Sequence, residues 1–279
     1  MIVAIFGVGL IGGSIGLALK KSRFKIKKII GLGRNIKRLK IAQKLGAIDE
    51  FTTNFQKAVR NADIIFICFP VALIPSTVKK ILPFCKKEAV ITDVGSVKQS
   101  IVKEIENYIF SKNSSGPAFI GGHPIAGSEK TSVKYASENL FKNAVVVLTP
   151  TKTSGKNSLK KIKQIWENMN AKVRIMSPEK HDKILSFTSH LPHVIAFSLV
   201  NTVDNLEYTG GGFKDTTRIA SSDFRMWADI IWENRSNIIY SIRKFKQELL
   251  KIEKSKSKSE MLRIFRKAKN KRDTLRPSK

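Results

Sequence analysis

Short apolar runs alternate with helix-like segments along residues 1–176. The runs occupy residues 2–6, 28–32, 64–68, 89–92, 119–121, 145–148 and 172–175. Continuous apolar runs of this length are typical of strands buried on both faces, as in a parallel sheet. Helical spacing occupies most of the intervening segments, at residues 13–20, 36–45, 55–61, 73–82, 97–108 and 158–168. This alternation predicts a doubly wound α/β domain.

The strand pattern stops near Ser177-Pro178, where we place a domain boundary. Helical spacing or composition continues at residues 181–205, 216–220, 223–241 and 245–254, interrupted by a glycine-rich loop at 209–212. The pattern therefore predicts two domains, residues 1–176 and an all-helical domain at residues 177–279. From about Arg243 the chain is basic and rich in Lys and Ser, which predicts a solvated helix followed by a frayed tail.

A glycine motif follows the first predicted strand and opens the first predicted helix. It reads Gly7-Val8-Gly9-Leu10-Ile11-Gly12. In this position Gly7 allows a tight turn, Gly9 lets the backbone approach a pyrophosphate, and Gly12 lets the helix pack close to the sheet. The pyrophosphate would lie at the positive end of the helix. The motif predicts a Rossmann-type dinucleotide site that includes Gly7, Gly9, Leu10, Ile11 and Gly12.

The end of the second predicted strand bears on the choice of cofactor. NAD-binding domains usually carry an Asp or Glu about 20 residues past the glycine motif, to bind the ribose 2′-hydroxyl. Here that place is taken by Gly33, followed by Arg34 and Asn35. No carboxylate repels a 2′-phosphate, and Arg34 with Asn35 can bind one. This favours NADP over NAD, while an Arg34 that only stacks on the adenine remains an alternative.

Chemically active side chains follow the later strands, at the edge where a second domain would meet the sheet. His123 stands in a Gly-Gly-His-Pro segment, interpreted as a loop whose glycines clear space around the ring. A group that titrates near neutrality can serve as the general base in the oxidation of an alcohol. The alternative is a loop histidine that hydrogen-bonds a backbone group.

The helical part supplies further polar groups. His190 and His193 are three residues apart, on one face of a helix, but no Cys, Asp or Glu at suitable spacing completes a metal site. We therefore expect anion binding or structural hydrogen bonds there, and no metal. Arg218 follows Asp215 and two threonines and is a candidate to bind a carboxylate in bidentate fashion. An ordinary surface arginine at a helix start is the alternative.

The charge is unusually positive, since 51 Lys and Arg against 22 Asp and Glu give a net charge of +29. Such a balance suits nucleic acids, anionic membranes or small anions. The sequence has no recognisable nucleic-acid module, no apolar stretch of about 20 residues and no secretory signal. The two cysteines, Cys68 and Cys85, form no disulfide framework. These features predict a cytoplasmic protein with a small anionic ligand and neither nucleic acid nor membrane as partner.

Five strings taken together resemble the prephenate/arogenate dehydrogenases of tyrosine biosynthesis, and the resemblance runs from the first strand to about Trp232. They read GVGLIGGS at residues 7–14, DVGSVK at 93–98, GHPIAG at 122–127, SHLPH at 189–193 and GFKDTTR at 212–218. The resemblance implies oxidative decarboxylation of prephenate or arogenate to 4-hydroxyphenylpyruvate or tyrosine, with hydride transfer to NAD(P). It also implies a homodimer paired through the helical domain.

The resemblance also implies roles for individual residues. His123 matches the family's catalytic histidine, which accepts the hydroxyl proton, and Ser96 matches the serine that orients it. His193 and Arg218 match residues that hold the substrate carboxylates. The remaining matches are Pro70, which lines the nicotinamide pocket, and Glu129 and Asp215, which gate or brace the site.

Two other functions fit parts of the pattern. One is a different oxidoreductase with the same two-domain architecture, acting on a small hydroxy acid or an imine. The other is a protein that keeps the dinucleotide-binding fold without turnover, as a cofactor sensor or nucleic-acid binder. A sensor has no need of His123 together with Ser96, so the chemistry of that pair separates these functions from a dehydrogenase.

Overall fold

The computed structural model describes residues 1–111, 116–127, 130 and 132–275. Its strands are β1 (Ile2–Phe6), β2 (Lys28–Leu32), β3 (Glu50–Thr52), β4 (Ile64–Ile67), β5 (Val90–Asp93), β6 (Ala118–Ile125), β7 (Val145–Thr149) and β8 (Lys172–Ile175). The helices among them are α1 (Leu10–Lys21), α2 (Ile36–Lys44), α3 (Phe55–Val59), α4 (Ile74–Ile81), α5 (Gln99–Ser111) and α6 (Lys156–Asn168).

These strands form one sheet in the order β3-β2-β1-β4-β5-β6-β7-β8. All neighbours are parallel except β6 and β7, which pair antiparallel. The chain leaves β1 toward β2 on one side and later returns to β4 on the other, so the carboxyl ends of β1 and β4 form a topological switch point. The predicted doubly wound sheet is confirmed. Strand β3 was missed, because three residues with mixed polarity carry too little pattern.

The sheet is buried on both faces, which explains the continuous apolar runs. Along β1 and β4 alternate side chains enter two different apolar clusters: Ile5 and Phe66 belong to one, Phe6 and Ile65 to the other. Trp166 of α6 fills the first cluster. Trp227 and Ile230, from the second half of the chain, belong to the second cluster. The second half is therefore packed against one face of the nucleotide-binding half.

All regular elements that the structure describes after residue 177 are helical, as predicted. It forms α7 (Pro178–Leu185), a π-helical turn (Ser186–His190), α8 (Leu191–Asn201), α9 (Gly211–Thr217), a 3-10 turn (Arg218–Ser221), α10 (Phe224–Glu233), α11 (Arg235–Glu253) and α12 (Lys258–Asp273). The loop predicted at 209–212 instead occupies residues 202–210, because α8 ends at Asn201, short of the predicted residue 205, and α9 begins at Gly211. The predicted frayed tail is wrong where α12 forms; Ser257 caps this helix by accepting from the Glu260 N–H.

One helix among the described residues, Pro178–Asn201, is long and apolar enough to cross a membrane by length and composition. It comprises 24 residues, because α7, the π-helical turn and α8 run on without a break. The sequence analysis predicted a helix at residues 181–205 but no apolar stretch of this length, since polar residues punctuate the first half of the helix. Core helices of soluble proteins pass the same test, so the observation marks an apolar helix and nothing more.

Candidate active site

The carboxyl ends of four neighbouring strands bring the predicted residues to one edge of the sheet. Gly7 follows β1, Pro70 lies just beyond β4, and Ser96 lies beyond β5. His123 lies in β6, past the last residue that pairs with β5. The helical part covers this edge through α7 and α10, so the candidate residues lie between the two halves of the chain.

The glycine turn after β1 has the shape that a dinucleotide requires. Gly7 has a φ of +88°, and a Cβ there would lie 2.6 Å from the carbonyl oxygen of Cys68. At Gly12 a Cβ would lie 2.2 Å from the carbonyl oxygen of Gly7. Helix α1 begins at Leu10 with Gly9 as its N-cap, so no side chain caps the first N–H groups. Those N–H groups, including the one of Ile11, can bind a pyrophosphate.

Two residues after β2, Arg34 and Asn35, were predicted to bind the cofactor, and their side chains have different partners. Arg34 is exposed and forms no ion pair with a described carboxylate. The side-chain oxygen of Asn35 accepts from the Arg38 N–H at 3.1 Å and caps α2. Arg34 is therefore free to contact a ligand, whereas the Asn35 oxygen is already occupied by the helix end.

The prediction that His123 stands in a loop is wrong. Strand β6 changes partner after Ile120 and continues antiparallel to β7, with His123 opposite Val147. The glycines before His123 permit this close pairing rather than clearing space around its ring. A Cβ on Gly121 would lie 2.4 Å from the hydroxyl of Thr149, and one on Gly122 would lie 2.6 Å from the backbone oxygen of Asp93. His123 is thus fixed in a sheet and only 8% exposed.

A hydrogen-bonded chain runs from His123 into the helical part. The Nδ1 atom of His123 lies 2.8 Å from Nε2 of His181, and Nδ1 of His181 lies 2.7 Å from the Asp182 carboxylate. The carboxylate can only accept, so the proton lies on Nδ1 of His181. His181 Nε2 therefore accepts from Nδ1–H of His123, which leaves Nε2 of His123 with its lone pair.

The turn after β5 holds the Asp182 carboxylate in place. Its two carboxylate oxygens accept from the backbone N–H groups of Lys98, at 2.8 Å, and Gln99, at 2.9 Å. These two bonds fix the orientation of the carboxylate that binds His181. The contact also joins α7 of the helical part to the nucleotide-binding half.

Electrostatics keep the ring of His123 neutral. Burial lowers the pKa of His123 well below its usual value, and the nearby His181, Lys98 and His190 lower it further. A neutral imidazole with an unprotonated Nε2 can accept a proton at neutral pH. The arrangement is that of a general base oriented through a second histidine by a carboxylate.

Asn234, between α10 and α11, fixes the position of another histidine. Its side-chain amide donates to the backbone oxygen of Asp182 at 2.9 Å and lies 3.1 Å from Nδ1 of His190. Because the amide donates, Nδ1 of His190 is the acceptor and its proton lies on Nε2. His190 is fully buried, and burial lowers its pKa from 6.5 to about 4.

The last histidine lies beside the predicted carboxylate-binding arginine. The ring of His193 stacks on Trp227, with centroids 3.4 Å apart. Burial, together with the positive charge of Arg218, lowers the pKa of His193 to about 4. Arg218 is exposed at the start of its 3-10 turn, and Asp215 is exposed on α9. The structure thus brings His193 and Arg218 together, while Asp215 lies on the outer surface of the same segment.

Two family models match almost the whole chain. The prephenate dehydrogenase nucleotide-binding domain matches residues 15–175, and the prephenate dehydrogenase dimerization domain matches residues 177–269. The chain belongs to the prephenate dehydrogenase family. As a member it is an oxidoreductase with a nucleotide-binding domain and a helical dimerisation domain.

Individual relatives agree with the family models. The chain is 36% identical over 98% of its length to the prephenate dehydrogenase of Bacillus subtilis, of which it covers 76%. It is 33% identical to the cyclohexadienyl dehydrogenase of Zymomonas mobilis, with 90% of this chain and 86% of that protein covered. The A. aeolicus prephenate dehydrogenase in complex with hydroxyphenyl propionate and NAD+ has 39% identity and a TM-score of 0.90, covering 98% and 97% of the two chains.

The remaining predicted residues are placed as follows. The Ser96 hydroxyl forms no hydrogen bond with His123 in the described structure, where His181 is the partner of Nδ1. Its predicted orienting role stays a prediction. Pro70 is exposed beyond β4, and Glu129 lies outside the described residues. Within the described ranges no group of three or more His, Cys, Asp or Glu is arranged to bind a metal.

Three contributing residues, His181, Asp182 and Asn234, were not found from the sequence. The small number of histidines in the sequence could have pointed to His181. The chain has only four, and three of them, His123, His190 and His193, were already candidates. The fourth, His181, joins the same cluster, together with the carboxylate that follows it in the sequence.

Acid should destabilise this prephenate dehydrogenase family member, because His190 and His193 are both held in surroundings that favour the neutral ring. The pKa of each is lowered from 6.5 to about 4 in the folded chain. Below pH 6.5 the unfolded chain therefore binds more protons than the folded chain, and the free energy of unfolding falls as the pH falls.

The melting temperature, followed by circular dichroism, should fall as the pH is lowered from about 6.5 to about 4. A His193→Asn variant should lose part of this slope, because one of the two titrating groups is gone. A melting temperature that stays constant across this interval would contradict the neutral histidine cluster.

Proposed function

We propose that this chain catalyses the oxidative decarboxylation of prephenate or arogenate, giving 4-hydroxyphenylpyruvate or tyrosine. The family membership and the relatives named for prephenate and cyclohexadienyl substrates support the reaction class. The observation that carries the proposal is the chain His123–His181–Asp182, which presents a neutral base at the carboxyl edge of a dinucleotide-binding sheet. A nicotinamide cofactor held at the glycine turn would supply the hydride acceptor.

The proposed proton transfer uses Nε2 of His123. This nitrogen accepts the proton of the ring hydroxyl as the alcohol becomes a carbonyl. The imidazolium that forms keeps its Nδ1–H on His181, and the Asp182 carboxylate stabilises the positive charge through that ring. Loss of CO₂ then makes the ring aromatic, which supplies much of the driving force. One positioned base can therefore be sufficient.

The substrate carboxylates are assigned to the cationic side of the site. Arg218 offers a planar guanidinium that can bind a carboxylate with two hydrogen bonds, and His193 lies beside it. We assign Pro70 and Ser96 to the nicotinamide side, because Pro70 follows β4, the neighbour of β1, and Ser96 follows β5, the next strand in the sheet. Glu129 and Asp215 are proposed to gate or brace the site.

We propose NADP as the favoured cofactor. The support is local: Gly33 stands where an acidic residue would select NAD, and Arg34 is exposed and without a described carboxylate partner. A guanidinium at this place can bind a 2′-phosphate in bidentate fashion. The A. aeolicus relative is described with NAD+, so both cofactors are compared directly in the experiments below.

Replacing Arg34 with alanine should weaken NADP use far more than NAD use. The variant loses a charge-assisted contact of roughly 1.5–3 kcal/mol to the phosphate, which NAD does not have. The measurement is kcat/KM for each cofactor. Arg60→Ala, at an exposed arginine after α3, is the matched control and should leave both values unchanged. Equal losses for the two cofactors would contradict the phosphate contact.

We propose a homodimer formed through the helical part. The matched dimerization domain supports it, as do the apolar side chains of α8 that remain partly exposed, among them Val194, Ile195 and Leu199. A second copy of the chain would bury this surface. A cytoplasmic location, with no nucleic-acid or membrane partner, completes the proposal and agrees with both cysteines being free thiols.

Steady-state assays with four pairs test the function: prephenate or arogenate, each with NAD or NADP, followed at the absorbance of the reduced cofactor. Turnover with either substrate supports the reaction class, and the best pair identifies the preferred substrate and cofactor. If only small hydroxy acids or imines are turned over, the other oxidoreductase function replaces this one. If the folded chain binds cofactor but turns over none of these, the sensor function replaces it.

A further inference from the structure

Lys98 is a fully buried lysine between β5 and α5. Lysine is almost never buried completely unless it is paired. Its side-chain nitrogen forms an ion pair with Asp93 at the end of β5, also fully buried, and donates to the backbone oxygen of Gly122 at 2.9 Å. Gly122 directly precedes His123, so this side chain holds the backbone on which the proposed base is mounted.

The main chain of Lys98 is also linked to His123, through two intervening side chains. Its N–H donates to Asp182, which binds His181, which in turn binds His123. The contacts therefore form a closed ring that begins and ends at Lys98, through its side chain on one side and its main chain on the other. The Asp93 carboxylate braces this ring, because it accepts from the Gly122 N–H at 3.0 Å.

We propose that Lys98 is a positioning residue for the reaction, fixing both the backbone and the ring orientation of His123, and that its charge is part of this role. The inference rests on the proposed function, in which His123 is the base. A lysine that served only to neutralise Asp93 would need neither the bond to Gly122 nor the place of its N–H beside Asp182.

The charge of Lys98 acts on His123 in a predictable direction. The charged or titratable groups that act on His123 are His181 on α7, His190 in the π-helical turn and Lys98 after β5. Behind them lie the carboxylates of Asp182, which binds His181, and of Asp93, which pairs with Lys98. Lys98 is one of the groups that lower the pKa of His123. Removing its charge should raise that pKa, so the base should become protonated at a higher pH than in the unchanged chain.

The experiment compares Lys98→Met with the double variant Lys98→Met/Asp93→Asn. The double variant removes both charges together, so no unpaired charge is left in the interior, while the asparagine oxygen can still accept from Gly122. Lys86→Met is the matched control, because it breaks a lysine–aspartate pair with Asp63 at the opposite ends of the strands. Each variant is checked for folding, for cofactor Kd, for kcat and KM, and for kcat/KM against pH.

We expect both Lys98 variants to bind cofactor normally and to lose at least 10-fold in kcat. The acid limb of kcat/KM should move to higher pH in Lys98→Met, and less in the double variant, where the Asp93 charge is removed as well. The control should match the unchanged chain. A folded double variant with unchanged kcat overturns the proposal and leaves only a structural ion pair.

If neither methionine variant folds, the Lys98→Arg variant tests the proposal instead. It keeps the cation but displaces its donors, so kcat should fall while the acid limb stays in place; an unchanged kcat overturns the proposal. Failure of the proposed function is distinguished from all of these outcomes, because in that case the unchanged chain itself turns over neither prephenate nor arogenate.

Discussion

Replacing His123 with asparagine should lower kcat by roughly 10²–10⁴-fold. The asparagine amide can still donate to His181, but it has no nitrogen that can accept a proton. The dissociation constant of the cofactor should stay nearly unchanged, because the glycine turn after β1 does not contain His123. The measurements are kcat for the preferred pair of substrate and cofactor, and cofactor Kd by fluorescence.

A control in the facing strand separates loss of the base from disturbance of the sheet. Val147 lies directly opposite His123 in β7 and is buried. Val147→Ala should reduce the free energy of unfolding by about 1–3 kcal/mol and leave kcat near that of the unchanged chain. Near-normal turnover in His123→Asn would remove this residue from the mechanism, and an equal loss in both variants would assign the effect to packing.

Replacing Arg218 with alanine should raise KM for the substrate by about 10- to 150-fold. The expected loss is that of one charge-assisted contact, about 1.5–3 kcal/mol. Arg218→Lys keeps the charge but not the planar fork, so it should recover only part of the affinity. The measurement is steady-state kinetics at saturating cofactor.

Arg225→Ala provides the matched control for this experiment. Arg225 lies seven residues further along the chain, on α10, and is exposed like Arg218. Its loss should leave KM unchanged. If Arg218→Ala also leaves KM unchanged, another residue binds the substrate carboxylate and the assignment of the cationic side of the site is wrong.

The elements of the nucleotide-binding half could be predicted from local sequence patterns. Strands such as β1 and β4 are buried on both faces, so each is a continuous apolar run. The turn at Gly7 is dictated by a positive φ, which glycine alone adopts readily, and it stands directly between a strand and a helix. Features of this kind depend on adjacent residues and are therefore visible in the sequence.

Features that depend on distant partners were missed. The segment around His123 has the composition of a loop, yet it is a strand because β7 pairs with it and because Gly121 and Gly122 allow the close approach. The bond between His123 and His181 joins residues 58 positions apart. Nothing near His181 in the sequence indicates that α7 packs against the start of α5.

The stoichiometry of the reaction tests the central claim most directly. With the preferred pair of substrate and cofactor, we expect one reduced cofactor, one CO₂ and one aromatic product for each substrate molecule consumed. That result would establish oxidation coupled to decarboxylation, as a cyclohexadienyl substrate requires. Reduced cofactor without CO₂, or no product from a folded chain that binds its cofactor, would contradict the proposed function.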